Sequence, residues 1–254
     1  MVKLKNEKDL ESLRASGRIL ANVISALRDK AKVGVTLLEL EKLANQMLKD
    51  AGAISAFLNY QPEGSTRPYP ANICTSLNDQ VVHGLPTGYA LQSGDVLKID
   101  FGVVYKDYVT DAAVTVALGE IAPEVKKLLT ITEEALKMGI EAARNGNALG
   151  DIGWAIENHV EMNGLSVIEG LTGHGVGFKL HEDPTVYNYG RKGEGMKLKE
   201  GLVLAIEPMV SLGTPQTRQN KDDESYSTKD GSMSAHFEKT IVITKNGPEI
   251  LTPF

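Results

Sequence analysis

Apolar residues recur along the first thirty positions at a spacing no strand produces. Leu10, Leu13, Ile19, Leu20, Val23, Ile24 and Leu27 follow a helical period and predict a helix over 7–31. A second start signal, Gly34-Val35-Thr36, precedes Leu37, Leu40, Leu43, Ala44, Met47 and Leu48 on one face, and Gly52 supplies a C-cap. Residues 122–145 repeat the first pattern through Val125, Leu128, Leu129, Ile131, Ala135, Leu136, Met138 and Ile140, and 148–163 repeat the second. The two shorter helices also agree in register. Gly34 to Gly52 encloses the same interval as Gly146 to Gly164, and Leu37, Leu40 and Leu48 align with Leu149, Ile152 and Val160. Heptad-like coincidence is the competing explanation. The pattern favours an internal duplication, two helix–helix–strand halves that bury their apolar faces together, with a natural place for a site between them.

Between and after the helices lie strands. DVLKIDFGVVY (95–105), KDYVTDAAVTVAL (106–118), GLVLAIEPMVSL (201–212) and AHFEKTIVIT (235–244) are rich in Val and Ile. The stretch 213–234 is polar throughout and reads as a surface excursion. Each of the four strands carries an acid flanked by apolar residues: Asp100, Asp111, Glu207 and Glu238. Acids are depleted in strand interiors and are rarely buried unless paired or bound to metal. A solvent-facing position explains any one of them, but not all four together. A turn centred on Tyr105-Lys106 sets Asp100 directly opposite Asp111, with Cβ atoms roughly 4.5–5.5 Å apart. Two bare carboxylates that close repel, and a divalent cation between them removes the problem.

The stretch GLTGHGVGFKLHEDP (170–184) places His174 and His181 among glycines, where no zinc-protease helix with histidines one turn apart can form. On a straight extended chain positions 174 and 181 face opposite ways unless the glycines bend it. That divides the work, one histidine for a ligand and one for the substrate. Four carboxylates and one neutral imidazole suit two divalent ions such as Mn, Fe or Co, and do not suggest a structural zinc site. Two such ions share a hydroxide and clamp a tetrahedral intermediate.

Composition narrows the class. The chain has 254 residues, enough for one large domain, with 27 basic and 33 acidic residues, a net charge of −6. No basic run marks a nucleic-acid footprint. Cys74 is the single cysteine, which excludes an intrachain disulfide and a thiolate cage. No signal peptide and no apolar run of about 20 residues is present, so the expected setting is cytoplasmic, without membrane contact.

The ordered set His83 (VVHGLP), Asp100, Asp111, His174, His181, Glu207 (AIEPMV) and Glu238 (FEKTIVI) resembles type I methionine aminopeptidase over nearly the whole chain. The resemblance implies an α/β (α+β) protein with the pita-bread fold: two pseudo-symmetric helix–helix–strand halves around a curved antiparallel sheet, forming one catalytic domain over 1–254. It implies a metallo-aminopeptidase that removes the initiator methionine from nascent chains when the second residue is small, using a water activated by two metals (Co, Mn, Fe or Zn). Asp100 and Asp111 would hold one ion and His174 with Glu207 the other, while Asp111 and Glu238 bridge. Glu207 doubles as general base, His181 steadies the scissile carbonyl oxygen, and His83 sits near the departing amine. Tyr60, Cys74 and Leu180 line the methionine pocket. A transient contact with the ribosome fits this role, and a monomer is the default.

The remaining histidines, His159 in mid-helix and His236 two residues before Glu238, are read as structural and as non-catalytic. Three departures from the family concern tuning: a lengthened segment at 61–73, no tryptophan in 213–234, and Lys239 where histidine is common. The rivals are an Xaa-Pro peptidase on the same ligands and a non-catalytic binding protein on the same fold.

Overall fold

The computed structural model describes residues 2–61, 67–221 and 224–254. Four helices form where the apolar period places them: α1 (Glu7–Lys30), α2 (Leu37–Ala51), α3 (Pro123–Ala142) and α4 (Leu149–Met162). Local chemistry sets their ends. Asn6 and Asp9 form a reciprocal capping box at the start of α1, as do Thr36 and Glu39 at the start of α2. α2 stops at Gly52, which takes a left-handed conformation. Pro123 opens α3, where its missing N–H costs nothing.

The duplication is written in the backbone. Gly34 N donates to Leu91 O at 2.7 Å, and Gly146 N donates to Leu198 O at 3.0 Å. Leu37 N reaches Tyr89 O, and Leu149 N reaches Met196 O. Gly94 N pairs with Leu118 O, and Gly201 N with Ile243 O. At the helix starts, the Glu39 carboxylate accepts Thr36 N at 2.8 Å, and the Asp151 carboxylate accepts Ala148 N at 2.7 Å. Asp100 lies six residues beyond Gly94, and Glu207 six beyond Gly201, so these two acids hold equivalent places in the repeats.

Every strand pairing among the described residues is antiparallel. The expected curved sheet is divided into four hydrogen-bonded pieces. In the first half, Val96–Tyr105 and Tyr108–Ala117 form a long hairpin against which α1 packs. In the second, Val203–Ile206 lies between Lys239–Thr244 and Gly173–Gly175. One continuous core unites the halves, with Leu20, Ile24, Phe101, Leu136, Ile206 and Ile241 in a single buried cluster. Each such side chain contributes roughly 1.5–3 kcal/mol by leaving water.

Two strand expectations need correction. The hairpin turns at Lys106-Asp107, both at positive φ (50° and 66°), giving a two-residue turn of the type whose twist suits a hairpin. The register therefore slips by two: Asp100 pairs with Ala113, and Asp111 faces Gly102. Asp100 and Asp111 remain on one face, as diagonal rather than direct neighbours. The stretches 201–212 and 235–244 are also not continuous strands. The first breaks at Glu207-Pro208 into Val203–Ile206 and Met209–Ser211, and the second breaks at Phe237-Glu238 into Ser234–His236 and Lys239–Thr244. Glu207 and Glu238 thus sit in gaps where the chain passes from one sheet to another.

The polar stretch 213–234 is more than a surface excursion. Thr217–Gln219 and Tyr226–Thr228 pair with each other, and the latter also pairs with Gln80–Val82. Ser225, Ser227, Thr228 and Ser234 are buried. Residues 222–223 within it, and 62–66 of the lengthened 61–73 segment, lie outside the described residues.

Candidate metal centre and its cleft

The strand Tyr108–Ala117 is sewn to the segment 236–240 at alternate residues. Asp111 N donates to Thr240 Oγ1 at 2.9 Å, and Thr240 Oγ1 donates back to Asp111 O at 2.7 Å. Glu238 N donates to Ala113 O, and Thr115 Oγ1 donates to His236 O. This seam joins the two repeats and carries Asp111 and Glu238 side by side. On the other flank, His174 occupies a middle strand between Glu182–Val186 and Val203–Ile206. The glycines around it answer a packing demand. A Cβ at Gly173 would lie 2.4 Å from Ala205 O, and one at Gly175 would lie 2.2 Å from Asp183 O.

These elements bring the side chains together. Ligand atoms of Asp111, His174 and Glu238 all lie within 4.8 Å of one another. His174 Nδ1 lies 2.9 Å from Gly175 O. Donation there fixes the tautomer and turns the lone pair of Nε2 toward the acids. That nitrogen stands 3.5 Å from Glu207 Oε1 and 3.9 Å from Asp111 Oδ2. Asp100 is buried beside them, with Asp111 among the causes of its raised pKa.

The electrostatics are unfavourable for the acids alone. Desolvation first, and for three of the four their mutual repulsion next, pushes Asp100, Glu207 and Glu238 far above the usual carboxylate range. Desolvation lifts Asp111 to about 7. Asp100 Oδ1 and Glu238 Oε1 are buried without a hydrogen-bond partner. Buried polar atoms are normally satisfied, and buried charges are paired or bound to metal. Desolvation holds His174 near 4, so its ring is a neutral ligand at ordinary pH. Acid oxygens without partners, mutual repulsion and a neutral imidazole together fit divalent cations.

The same group gives a pH dependence with a definite sign. The folded-state pKa values of these acids are raised, with Asp111 near 7, against roughly 4 in an unfolded chain. The metal-free fold therefore holds protons that the unfolded chain releases, and this contribution to stability is lost as pH rises from about 4 through about 7. A divalent ion binds the deprotonated set and acts in the opposite direction. Melting curves of chelated and Mn-loaded protein at pH 5 and pH 7.5 should show a larger metal-induced gain at the higher pH. A gain that shrinks with pH would contradict the assignment.

Around this centre opens a cleft of about 720 Å³. His181 stands in it with its ring centroid 4.4 Å from that of His174, edge to face. The two rings do not face opposite ways, because the glycine-rich chain bends, the exception the sequence left open, and reverses between Gly173–Gly175 and Glu182–Val186. Of the two rings, His174 is the one that meets the acids. His181 Nδ1 lies 2.7 Å from the Tyr60 hydroxyl. His83, at a positive φ of 60°, stands exposed in the cleft with its ring against Tyr226. Cys74 is buried opposite Asp100 in the sheet, and Leu180 packs in the same apolar cluster, which Tyr60 adjoins.

Three residues join this site that sequence patterns alone left out. His236 is buried, with Nε2 3.3 Å from Glu207 Oε2 and without hydrogen-bond geometry at either ring nitrogen. Desolvation holds it near 3, hence neutral. Its place two residues before Glu238 was the available signal. Phe57 and Tyr69 line the cleft with rings 6.4 Å apart, edge to face, and no periodicity marks them. His159 instead pairs with Glu134 between α3 and α4, at 3.0 Å. Lys239 points away from the acids, donating to Thr252 O and Phe254 O.

Comparison with known proteins finds relatives of the whole chain. The family described as metallopeptidase family M24 matches residues 11–245. A methionine aminopeptidase of Clostridium acetobutylicum is 43% identical over 253 residues, covering 99% of each chain. The crystal structure of methionine aminopeptidase from Thermotoga maritima superposes with a TM-score of 0.96 at 38% identity, covering 100% of both chains. A prolidase from Pyrococcus furiosus superposes at 0.77 with 22% identity, covering 99% of this chain and 65% of that one. The last is a likeness of fold.

Proposed function

The chain belongs to metallopeptidase family M24 and has its pita-bread fold, and from that premise we propose that it is a metal-dependent aminopeptidase removing the N-terminal methionine of polypeptides. The observation that carries the proposal is the cluster of Asp111, Glu238 and His174, whose Nε2 also stands 3.5 Å from Glu207, with Asp100 buried beside Asp111 in the lining of the same cleft. Two divalent cations bound by these five residues would supply Lewis acidity, lowering the pKa of water and polarising a carbonyl.

The protein's own groups do the rest. Glu207 acts as general base and takes the proton that the attacking water gives up. His181 donates to the scissile carbonyl oxygen as negative charge grows there. Its Nδ1 faces the Tyr60 hydroxyl, and donation from that hydroxyl leaves the proton on Nε2, the atom free to reach the substrate. His83 lies near the departing amine. Tyr60, Cys74 and Leu180, with Phe57 and Tyr69, receive the methionine side chain, whose thioether suits contact with aromatic edges. A continuous core through both halves supports residues 1–254 acting as one catalytic unit.

We extend the proposal to a cytoplasmic monomer that meets nascent chains as they leave the ribosome, where initiator methionines arise. Among the described residues no helix is long and apolar enough to cross a membrane. The test is hydrolysis by Mn- or Co-loaded protein of Met-Ala-Ser set against Met-Pro and Xaa-Pro peptides. Release of methionine from the first is expected. Cleavage confined to Xaa-Pro bonds would move the chain to the other branch of the fold.

A further inference from the structure

His181 is carried by a turn whose support comes from the far end of the chain. The Glu182 carboxylate closes that turn on itself. Its Oε1 accepts the backbone N–H of Phe178 at 2.5 Å and of Lys179 at 2.8 Å. Its Oε2 accepts the Lys5 ammonium at 2.7 Å. Lys5 belongs to the irregular segment that precedes α1, and its side chain is 1% exposed. The segment is anchored, since Lys5 N donates to Gly201 O at 2.7 Å.

Two glycines make room for it. Gly177, at φ 137°, faces the lysine stem, and a Cβ there would come within 2.5 Å of Lys5 Cε. Gly201, at φ 83°, faces the backbone, and a Cβ there would meet Lys5 O at 2.6 Å. The ammonium also stands 5.0 Å above the Phe178 ring. A lysine is rarely buried without a partner, and here its partner is the residue adjacent to His181. Burying such a pair is a weak route to stability, because desolvation offsets the attraction.

We propose that Lys5 is a positioning residue for His181. Through Glu182 it holds the 177–182 turn at the height that sets the His181 ring against His174 and the Tyr60 hydroxyl. The segment before α1 is then part of the catalytic apparatus, although it touches no substrate. This inference rests on the role proposed for His181.

The test is Lys5→Met in the full chain, loaded with Mn and assayed on Met-Ala-Ser, with Glu182→Gln as a second route to the same break. We expect kcat to fall about tenfold or more, since displacements near 1 Å cost up to about 100-fold, with KM and Mn content unchanged. The deciding measurement is the double variant. In a His181→Ala background, Lys5→Met should produce no further loss, because the group it positions is gone. Equal loss in both backgrounds, or an unchanged kcat in Lys5→Met and Glu182→Gln, overturns the inference and leaves the proposed function standing. A silent His181→Ala overturns the role given to His181, and the inference with it.

Discussion

Asp111→Asn is expected to abolish turnover and metal binding together while making the metal-free protein more stable. Asp111 shares its cluster with His174 and Glu238, and by the resemblance it would be, with Glu238, one of two acids common to both cations. Asparagine keeps the shape and an oxygen that can accept the N–H of Ala112, as Asp111 Oδ1 does at 3.0 Å. It removes the charge. Outer-shell changes already cost metal sites about 10–100-fold in affinity, so losing a bridging carboxylate should weaken Mn binding by more than about 100-fold. The metal-free protein should respond in the opposite sense. Burial raises the pKa of Asp111 itself, and Asp111 in turn raises those of Asp100, Glu207 and Glu238, so its neutralisation removes a charge that the buried, metal-free site disfavours. Calorimetric Mn titration and melting of the chelated proteins read the two effects separately. Mn binding at the parent affinity would remove Asp111 from the ligand set, and a lower melting point would refute the repulsion argument.

His181→Ala should leave metal content intact and lower kcat by about 100- to 1,000-fold, the usual loss when one donor to a developing oxyanion is removed. The ring stands beside the cluster without entering it, since His174 alone among the cleft histidines lies among the group of ligand atoms. Its effect should fall on kcat with little change in KM, the pattern of an interaction made in the transition state. Loss of Mn from the variant would make His181 a ligand and require a different assignment. An unchanged kcat would leave the oxyanion to other groups.

How much of this was visible in the sequence depends on the range of the forces involved. The ends of α2 were legible because capping is local: the Gly34-Val35-Thr36 signal stands immediately before Leu37, where the helix begins, and Gly52 closes it. The duplication was legible because Gly34 and Gly146 open the same interval to Gly52 and Gly164. The hairpin register was missed by two because Lys106 and Asp107 hold positive φ without the usual Asn-Gly. The break at Glu207-Pro208 had its signal in Pro208, which cannot donate to a ladder. Its counterpart at Phe237-Glu238 had none. Nothing local brings Phe57 to Tyr69, or Lys5 to Glu182 across most of the chain, because tertiary packing alone creates those contacts.

The stitched strand of Asp111, Ala113 and Thr115 against Thr240, Glu238 and His236 has a thermodynamic consequence. Asp100 and Asp111 come from one repeat, and His174, Glu207 and Glu238 from the other. An ion gripped by both sets is a rivet through the joint. By linkage, whatever free energy holds the ion also opposes the parting of the repeats. Stripping the ion with a chelator would then cost the joint the same free energy that binding supplied, and the two ancestral copies would part at a lower temperature.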